Sequence, residues 1–161
     1  MTVPGNWRWR EAQVPAGPAV VFDLDGVLSD AASRQHFLER PRRDWDAFFA
    51  ACGDDPLIED VALLLGLLDP ALAIVLLTAR PASVRPQTLA WLHRYGLRWD
   101  LLVMRETGDH TPARDYKRGA VGDLRSAGFG LVLSFEDDRR NVAMFREEGV
   151  HCVYIHSGYY D

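Results

Sequence analysis

The chain has 161 residues, 48% apolar and 25% charged: enough for one ordinary domain with its own core, too few for two large ones, and balanced like a soluble globular protein. Acidic side chains outnumber basic ones, 23 to 18, for a net charge of −5. This argues against a surface that grips nucleic acid all over and leaves room only for a local basic patch. No stretch approaches the ~20 apolar residues of a membrane span, and the N-terminus lacks a signal peptide's pattern of charge and then apolar run. The expected location is therefore cytoplasmic. Cys52 and Cys152 are read there as buried free thiols, with one disulfide as the alternative.

Residues 1–18 carry three prolines and two glycines and read as an extended arm ahead of a domain over 19–161. Within the arm, Trp7, Arg8, Trp9 and Arg10 alternate aromatic and basic. They could stack on a nucleic acid, but packing of the arm onto the domain is the preferred reading. Ala19–Phe22 is a short apolar run of the buried-strand kind. Similar runs follow at Leu72–Leu77, Leu101–Met104, Leu131–Phe135 and His151–Ile155. Between them lie helical patterns over Ser83–Tyr95, over 113–127 ahead of Gly128, and over Arg139–Glu148 ahead of Gly149, a suitable C-terminal cap. Strand alternating with helix predicts an α/β fold with a parallel sheet and right-handed crossovers. About 50 residues separate the first two strands, with helices expected over Trp45–Cys52 and Leu57–Leu68. One helix suffices for a crossover, so the surplus predicts a small helical cap insertion at about 31–70. It would sit above the C-terminal end of the first strand, where open parallel sheets bind ligands.

The acidic residues fall at strand ends. The first strand runs into Asp23-Leu24-Asp25-Gly26-Val27, and the fourth into Glu136-Asp137-Asp138. Charge at the end of a buried strand is costly unless a cation or hydrogen bonds compensate. If the two strands are neighbours, their carboxylates converge, and a hard divalent cation such as Mg2+, which prefers oxygen ligands, would relieve the repulsion. The second strand ends in Thr78-Ala79-Arg80, where a hydroxyl and a guanidinium suit a phosphate oxygen. Lys117 lies near the start of the helix before the fourth strand. Taken singly, Thr78 could be a helix cap and Lys117 a solvated surface group.

In this order, Asp23-Leu24-Asp25-Gly26-Val27, Thr78, Lys117 and Asp137-Asp138 resemble the four motifs of the haloacid dehalogenase (HAD) superfamily, over about residues 19–158. The resemblance implies a Rossmann-like three-layer α/β/α sandwich, with its five strands in the order 5-4-1-2-3. It also implies a magnesium-dependent phosphomonoester hydrolase working through an aspartyl-phosphate on Asp23, with Asp25 as acid and then base. Thr78 and Lys117 would hold the phosphoryl oxygens. Asp23, Asp137, Asp138 and the Asp25 carbonyl would hold the metal, with Asp138 expected as a direct ligand. Val27 stands where many members carry threonine.

A narrower resemblance is to the 3′-phosphatase domain of phage-type polynucleotide kinase-phosphatases. It lies in Val103-Met104-Arg105 with Gly108-Asp109, in Glu136-Asp137-Asp138-Arg139, and in Gly149-Val150-His151-Cys152 with Ser157-Gly158. It implies a nucleic-acid 3′ end, DNA or RNA, as the phosphorylated partner, with Arg34 and Arg80 as substrate-binding arginines. No phosphate loop of the GxxxxGK[ST] type is present. Arg34, Arg40, Arg42 and Arg43, with Arg139 and Arg140, offer cations for backbone phosphates, although Arg40, Arg42 and Arg43 could equally be a solvated surface. Trp45, Phe48 and Phe49 read as cap core. A small-molecule phosphatase such as a 5′-nucleotidase, and a non-catalytic binding module, are the competing readings.

Overall fold

The computed structural model describes residues 2–161. Strand β1 spans Trp7–Trp9, β2 Pro18–Phe22, β3 Ala73–Pro81, β4 Leu101–Arg105, β5 Gly130–Glu136 and β6 Cys152–Tyr154. Helix α1 spans Trp45–Ala50, α2 Glu59–Leu67, α3 Arg85–Arg94, α4 Ala113–Ser126 and α5 Arg139–Glu147. Short 3-10 turns cover Ala32–Phe37, Cys52–Asp54 and Ala82–Val84. Among the described residues the strands form one six-stranded sheet in the order β1-β4-β3-β2-β5-β6. Strands β2 to β6 run parallel, and β1 runs antiparallel along β4.

The central strand β2 is apolar without alternation because both of its faces are covered. Val20 and Phe22 point into one core with Ile74, Leu76, Leu102 and Met104, beneath Val61 and Leu65 of α2 and Trp91 and Leu92 of α3. Ala19 and Val21 point into the other with Val75, Leu77, Leu101 and Val103, beneath Val121 and Leu124 of α4 and Val142 and Phe145 of α5. The molecule is thus a three-layer α/β/α sandwich. Cys52 and Cys152 are free and buried. No helix among the described residues is long and apolar enough to cross a membrane.

Two features differ from the pattern read along the chain. The N-terminal arm supplies a strand of its own. Trp7 pairs with Val103 and Trp9 with Leu101, and both indoles are half-buried against the second core while Arg8 between them is exposed. The aromatic–basic alternation is therefore the period-2 pattern of an edge strand, and it covers what would be the open edge of β4. Strand β3 also continues past the apolar run at Leu77 through Thr78-Ala79-Arg80 to Pro81, and its register with β4 shifts between Leu77 and Pro81. Such an irregularity re-aims side chains at a strand end. Of the insertion, α2 serves as the crossover helix, since Val61 and Leu65 are in the core. In α1, Phe48 is buried and packs edge-on to Trp45 and Phe49.

Candidate active site

The strand order reverses direction at β2. The chain leaves it toward β3 and β4 on one side and returns to β5 and β6 on the other, so the crevice lies at the carboxyl end of β2. Phe22 pairs with Phe135, and this register sets Asp23, one residue on, against Glu136. After Asp23 the chain turns back on itself: the amides of Val27, Leu28 and Ser29 all donate to the Leu24 carbonyl. Gly26 at the turn has φ +82°, and a Cβ there would lie 2.1 Å from Asp137 Oδ2. Both facts require glycine, and the second shows how closely the β5 acids approach the β2 loop.

Asp23, Glu136 and Asp137 each bring a carboxylate oxygen within 4.8 Å of the others. Lys117 of α4, fully buried, reaches in with Nζ 3.2 Å from Asp23 Oδ1 and 2.7 Å from Glu136 Oε2. The Leu24 amide also donates to Asp23 Oδ1, at 2.8 Å. Burial, then the charge of Glu136, pushes the Asp23 carboxyl well above the usual carboxylate range despite the lysine. Burial would also raise Glu136, but Lys117 outweighs it and holds that carboxyl low. Burial alone would lower the lysine's pKa, and the charges of Asp23 and Glu136 reverse this and keep the ammonium charged. Burial, followed by Glu136, pushes Asp137 up to about 7.

Three carboxylates against one ammonium leave two formal negative charges unbalanced. Both Asp137 side-chain oxygens are buried without a hydrogen-bond partner, a costly state for a charged group. Two missing positive charges and an orphaned carboxylate fit a hard divalent cation bound by oxygen. Glu136 is already engaged by Lys117, and its Oε1 accepts from the Asp137 amide at 3.2 Å. Asp23 and Asp137 are therefore the side chains with capacity for a metal.

Asp138 stands outside this group. It is the N-cap of α5, and its oxygens accept from the Arg140 amide at 2.9 Å and from the Arg140 guanidinium at 3.0 and 3.1 Å. Thr78 lies three residues before the end of β3, buried, with Oγ1 accepting from the Arg80 amide at 3.1 Å, which leaves its hydroxyl proton free to donate.

Asp25 is held from behind. Its Oδ1 accepts from Arg34 Nη2 at 2.8 Å and from Arg80 Nη2 at 2.6 Å. Burial would raise its pKa, but Arg80 and then Arg34 outweigh that and hold it below the usual carboxylate range. Neither arginine lies at an open surface. Arg80 is fully buried and also donates to Thr88 and Ser29. Arg34 is 2% exposed, donates to the Phe48 carbonyl and to both oxygens of Asp55, and lies 4.4 Å above the Phe48 ring. The two arginines expected to bind substrate thus form a buried clamp on Asp25. Single residues gave no sign of Asp55 or Ser29 in this clamp. Glu136 could have been found from the register alone, because it is the acid directly across from Asp23.

A hollow of about 370 Å³ beside the start of β6 between Leu133 and Arg146 contains none of these groups. A second, about 300 Å³, adjoins Asp138.

The family described as the polynucleotide kinase PNKP phosphatase domain matches residues 17–160. No curated protein matches the chain in sequence. Two solved structures of Pnkp1/Rnl/Hen1, one named as an RNA repair complex, align with TM-scores of 0.75 and 0.74 at 24% and 25% identity. They cover 94% and 95% of this chain but 46% and 50% of theirs, so the chain spans about half the length of those proteins. The class C acid phosphatase of Bacillus anthracis, solved with tungstate bound, shares the fold at TM-score 0.60 and 15% identity, over 91% of this chain and 69% of its own. With acids from β2 and β5 and a lysine from α4 converging at one switch point, and with nearly the whole chain matched, the protein belongs to the HAD-type PNKP phosphatase-domain family, a family of phosphoric monoester hydrolases.

Proposed function

We propose that this domain removes the phosphate from a 3′ end of a polynucleotide through a covalent intermediate on Asp23. The observation that carries the reading is the Asp23 carboxylate pinned between the Leu24 amide and Lys117, beside an unbalanced acidic group and two residues from a second carboxylate. An Asp23 oxygen attacks phosphorus in line, and the bond to the leaving oxygen breaks as Asp25 delivers a proton to it. Asp25 then takes a proton from a water that attacks the same phosphorus, and inorganic phosphate leaves with Asp23 restored. Because the two arginines favour ionised Asp25 in the free site, Asp25 takes the proton for the leaving oxygen from solvent as the phosphate dianion binds beside it, and is ready for the base half once that proton is delivered. Lys117 and the free proton of Thr78 hold the phosphoryl oxygens. Mg2+, held by Asp23, Asp137 and the Asp25 carbonyl, would offset the negative charge gathered there. The direct-ligand role expected of Asp138 passes in this reading to Asp137, whose oxygens are unpartnered.

The nucleic-acid substrate is supported by the family match and by the RNA repair complex in which one matching structure was solved; an RNA end and partner proteins of the same pathway are the corresponding extension. Free buried thiols at Cys52 and Cys152 suit a cytoplasmic location. The test compares phosphate release from a 3′-phosphorylated oligonucleotide, a 5′-phosphorylated one, a mononucleotide and an aryl phosphate, with Mg2+ and with chelator. Preference for the 3′ end, abolished by chelation and by Asp23→Asn, is expected. Equal or better turnover of the mononucleotide would make this a small-molecule phosphatase, and activity in the Asp23→Asn protein would remove the nucleophile assignment.

A further inference from the structure

The hollow of about 300 Å³ beside Asp138 is lined by Arg139, Arg140, Tyr154, Tyr160 and Asp161 as well, a volume at the lower end of ligand-sized cavities, roughly 300–1,000 Å³. Its lining sets two arginines and two aromatic rings beside two carboxylates. The Arg139 guanidinium lies 5.5 Å from the Tyr154 ring centre, and that of Arg140 5.8 Å from the Tyr160 ring centre. Arg139 makes no salt bridge among the described residues, whereas Arg140 is partnered by Asp138. Tyr160, although 55% exposed, is carried on a C-terminal segment fastened over the nucleophile loop. The Ser157 Cβ lies 3.1 Å from where a Gly26 Cβ would stand, and the Tyr159 hydroxyl donates to Asp30 Oδ1 at 3.1 Å. Asp138, which forms one wall, is the direct neighbour of Asp137. Burial, then the charges of Asp137, Asp23 and Asp138, pushes the Tyr160 phenol up, so this ring stands beside the acidic group around Asp23.

Resting on the phosphatase reading above, we infer that this hollow receives the terminal nucleoside of the strand, with its base stacked on Tyr160 and Tyr154 and its backbone met by Arg139. Aromatic rings flanked by guanidinium groups bind any base through its π-face, so the site favours a polynucleotide over a simple phosphomonoester without reading sequence. A mononucleotide could place its base here, but it brings no neighbouring phosphate for Arg139.

The experiment measures kcat/KM for a 3′-phosphorylated oligonucleotide and for an aryl phosphate, in the wild-type chain and in Tyr160→Ala, Tyr160→Phe and Arg139→Ala. Loss of one base-stacking contact corresponds to about tenfold. The oligonucleotide-to-aryl-phosphate ratio is expected to fall by about that factor in Tyr160→Ala and in Arg139→Ala, and to be restored in Tyr160→Phe, which keeps the ring. An oligonucleotide lacking its terminal base should lose the same factor with the wild type and nothing further with Tyr160→Ala. A wild type that prefers the oligonucleotide, with variants that keep that preference within about twofold, overturns the pocket assignment alone. A wild type that cleaves the aryl phosphate but no oligonucleotide overturns the parent reading, and the pocket's role with it.

Discussion

At the scale of single residues, the site is a problem in charge balance. Asp137 has an ordinary pKa of 3.8 and is pushed up to about 7 by burial and by Glu136; Asp23 shifts the same way. A folded-state pKa above the unfolded one means that the group stabilises the fold fully below about pH 4 and that this stability is lost as pH rises through about 7. The metal-free protein is therefore expected to unfold at a lower temperature at about pH 8 than at about pH 5. Asp137→Asn should flatten that dependence, and added Mg2+ should flatten it in the wild type by offsetting the carboxylate charge. Thermal unfolding in chelator at both pH values checks this. A wild-type midpoint that ignores pH, or an Asp137→Asn protein with the wild-type slope, would contradict it.

At the scale of elements, the segment between β2 and α2 carries a buried ion network that meets Asp25. Asp55, 1% exposed, accepts from Ser29 and from two nitrogens of Arg34, and lies 3.6 Å from Arg80. Its carbonyl accepts from Trp91 Nε1 of α3. Asp55 is thus a positioning residue: it holds the two arginines that hold Asp25. Asp55→Asn keeps the shape and leaves Asp25 as the one carboxylate paired with both guanidinium groups. The expected outcome is a kcat lowered for every phosphomonoester, toward the ~10²-fold scale of a misplaced acid/base group, with KM little changed. Arg34→Ala should act likewise on all substrates rather than on oligonucleotides selectively, at a cost in stability of about 3–5 kcal/mol for a broken buried pair. Steady-state kinetics with an aryl phosphate and an oligonucleotide distinguish the two ideas; a KM effect confined to the oligonucleotide would restore the reading in which Arg34 touches substrate.

At the scale of the whole molecule, function is concentrated at one point of the sheet and stability is spread across it. β1 lies at the far edge from the switch point, with Trp9 6.2 Å from Phe129 between ring centres. Trp9→Ala should therefore cost roughly 2 kcal/mol, below the 3–5 of a fully buried tryptophan, lowering the melting temperature by ~4–8 °C at this chain length. Its kcat should remain at the wild-type value. Calorimetry beside an activity assay would show this, and an unchanged melting temperature would mean that β1 contributes no stability.

What the sequence by itself determined is whatever local pattern carries. Uninterrupted apolar runs marked the strands, because a parallel sheet covered on both faces leaves them no polar side. Asp23, Asp25, Glu136 and Asp137 were legible as acids at strand ends, because charge is tolerated there only with compensation. Thr78 and Lys117 gained meaning only in the company of those acids. The tertiary structure alone decided which acid is free and which is satisfied. Asp137 and Asp138 are adjacent and alike in sequence, but one faces Gly26 and the other caps α5. It alone also showed that Arg34 and Arg80 are buried behind Asp25, since their partners lie 21 and 55 residues away, and that Trp7–Trp9 is a strand, since a three-residue strand exists only against β4. In each case the outcome is set by contacts between distant segments, which the order of residues does not contain until the sheet brings them together.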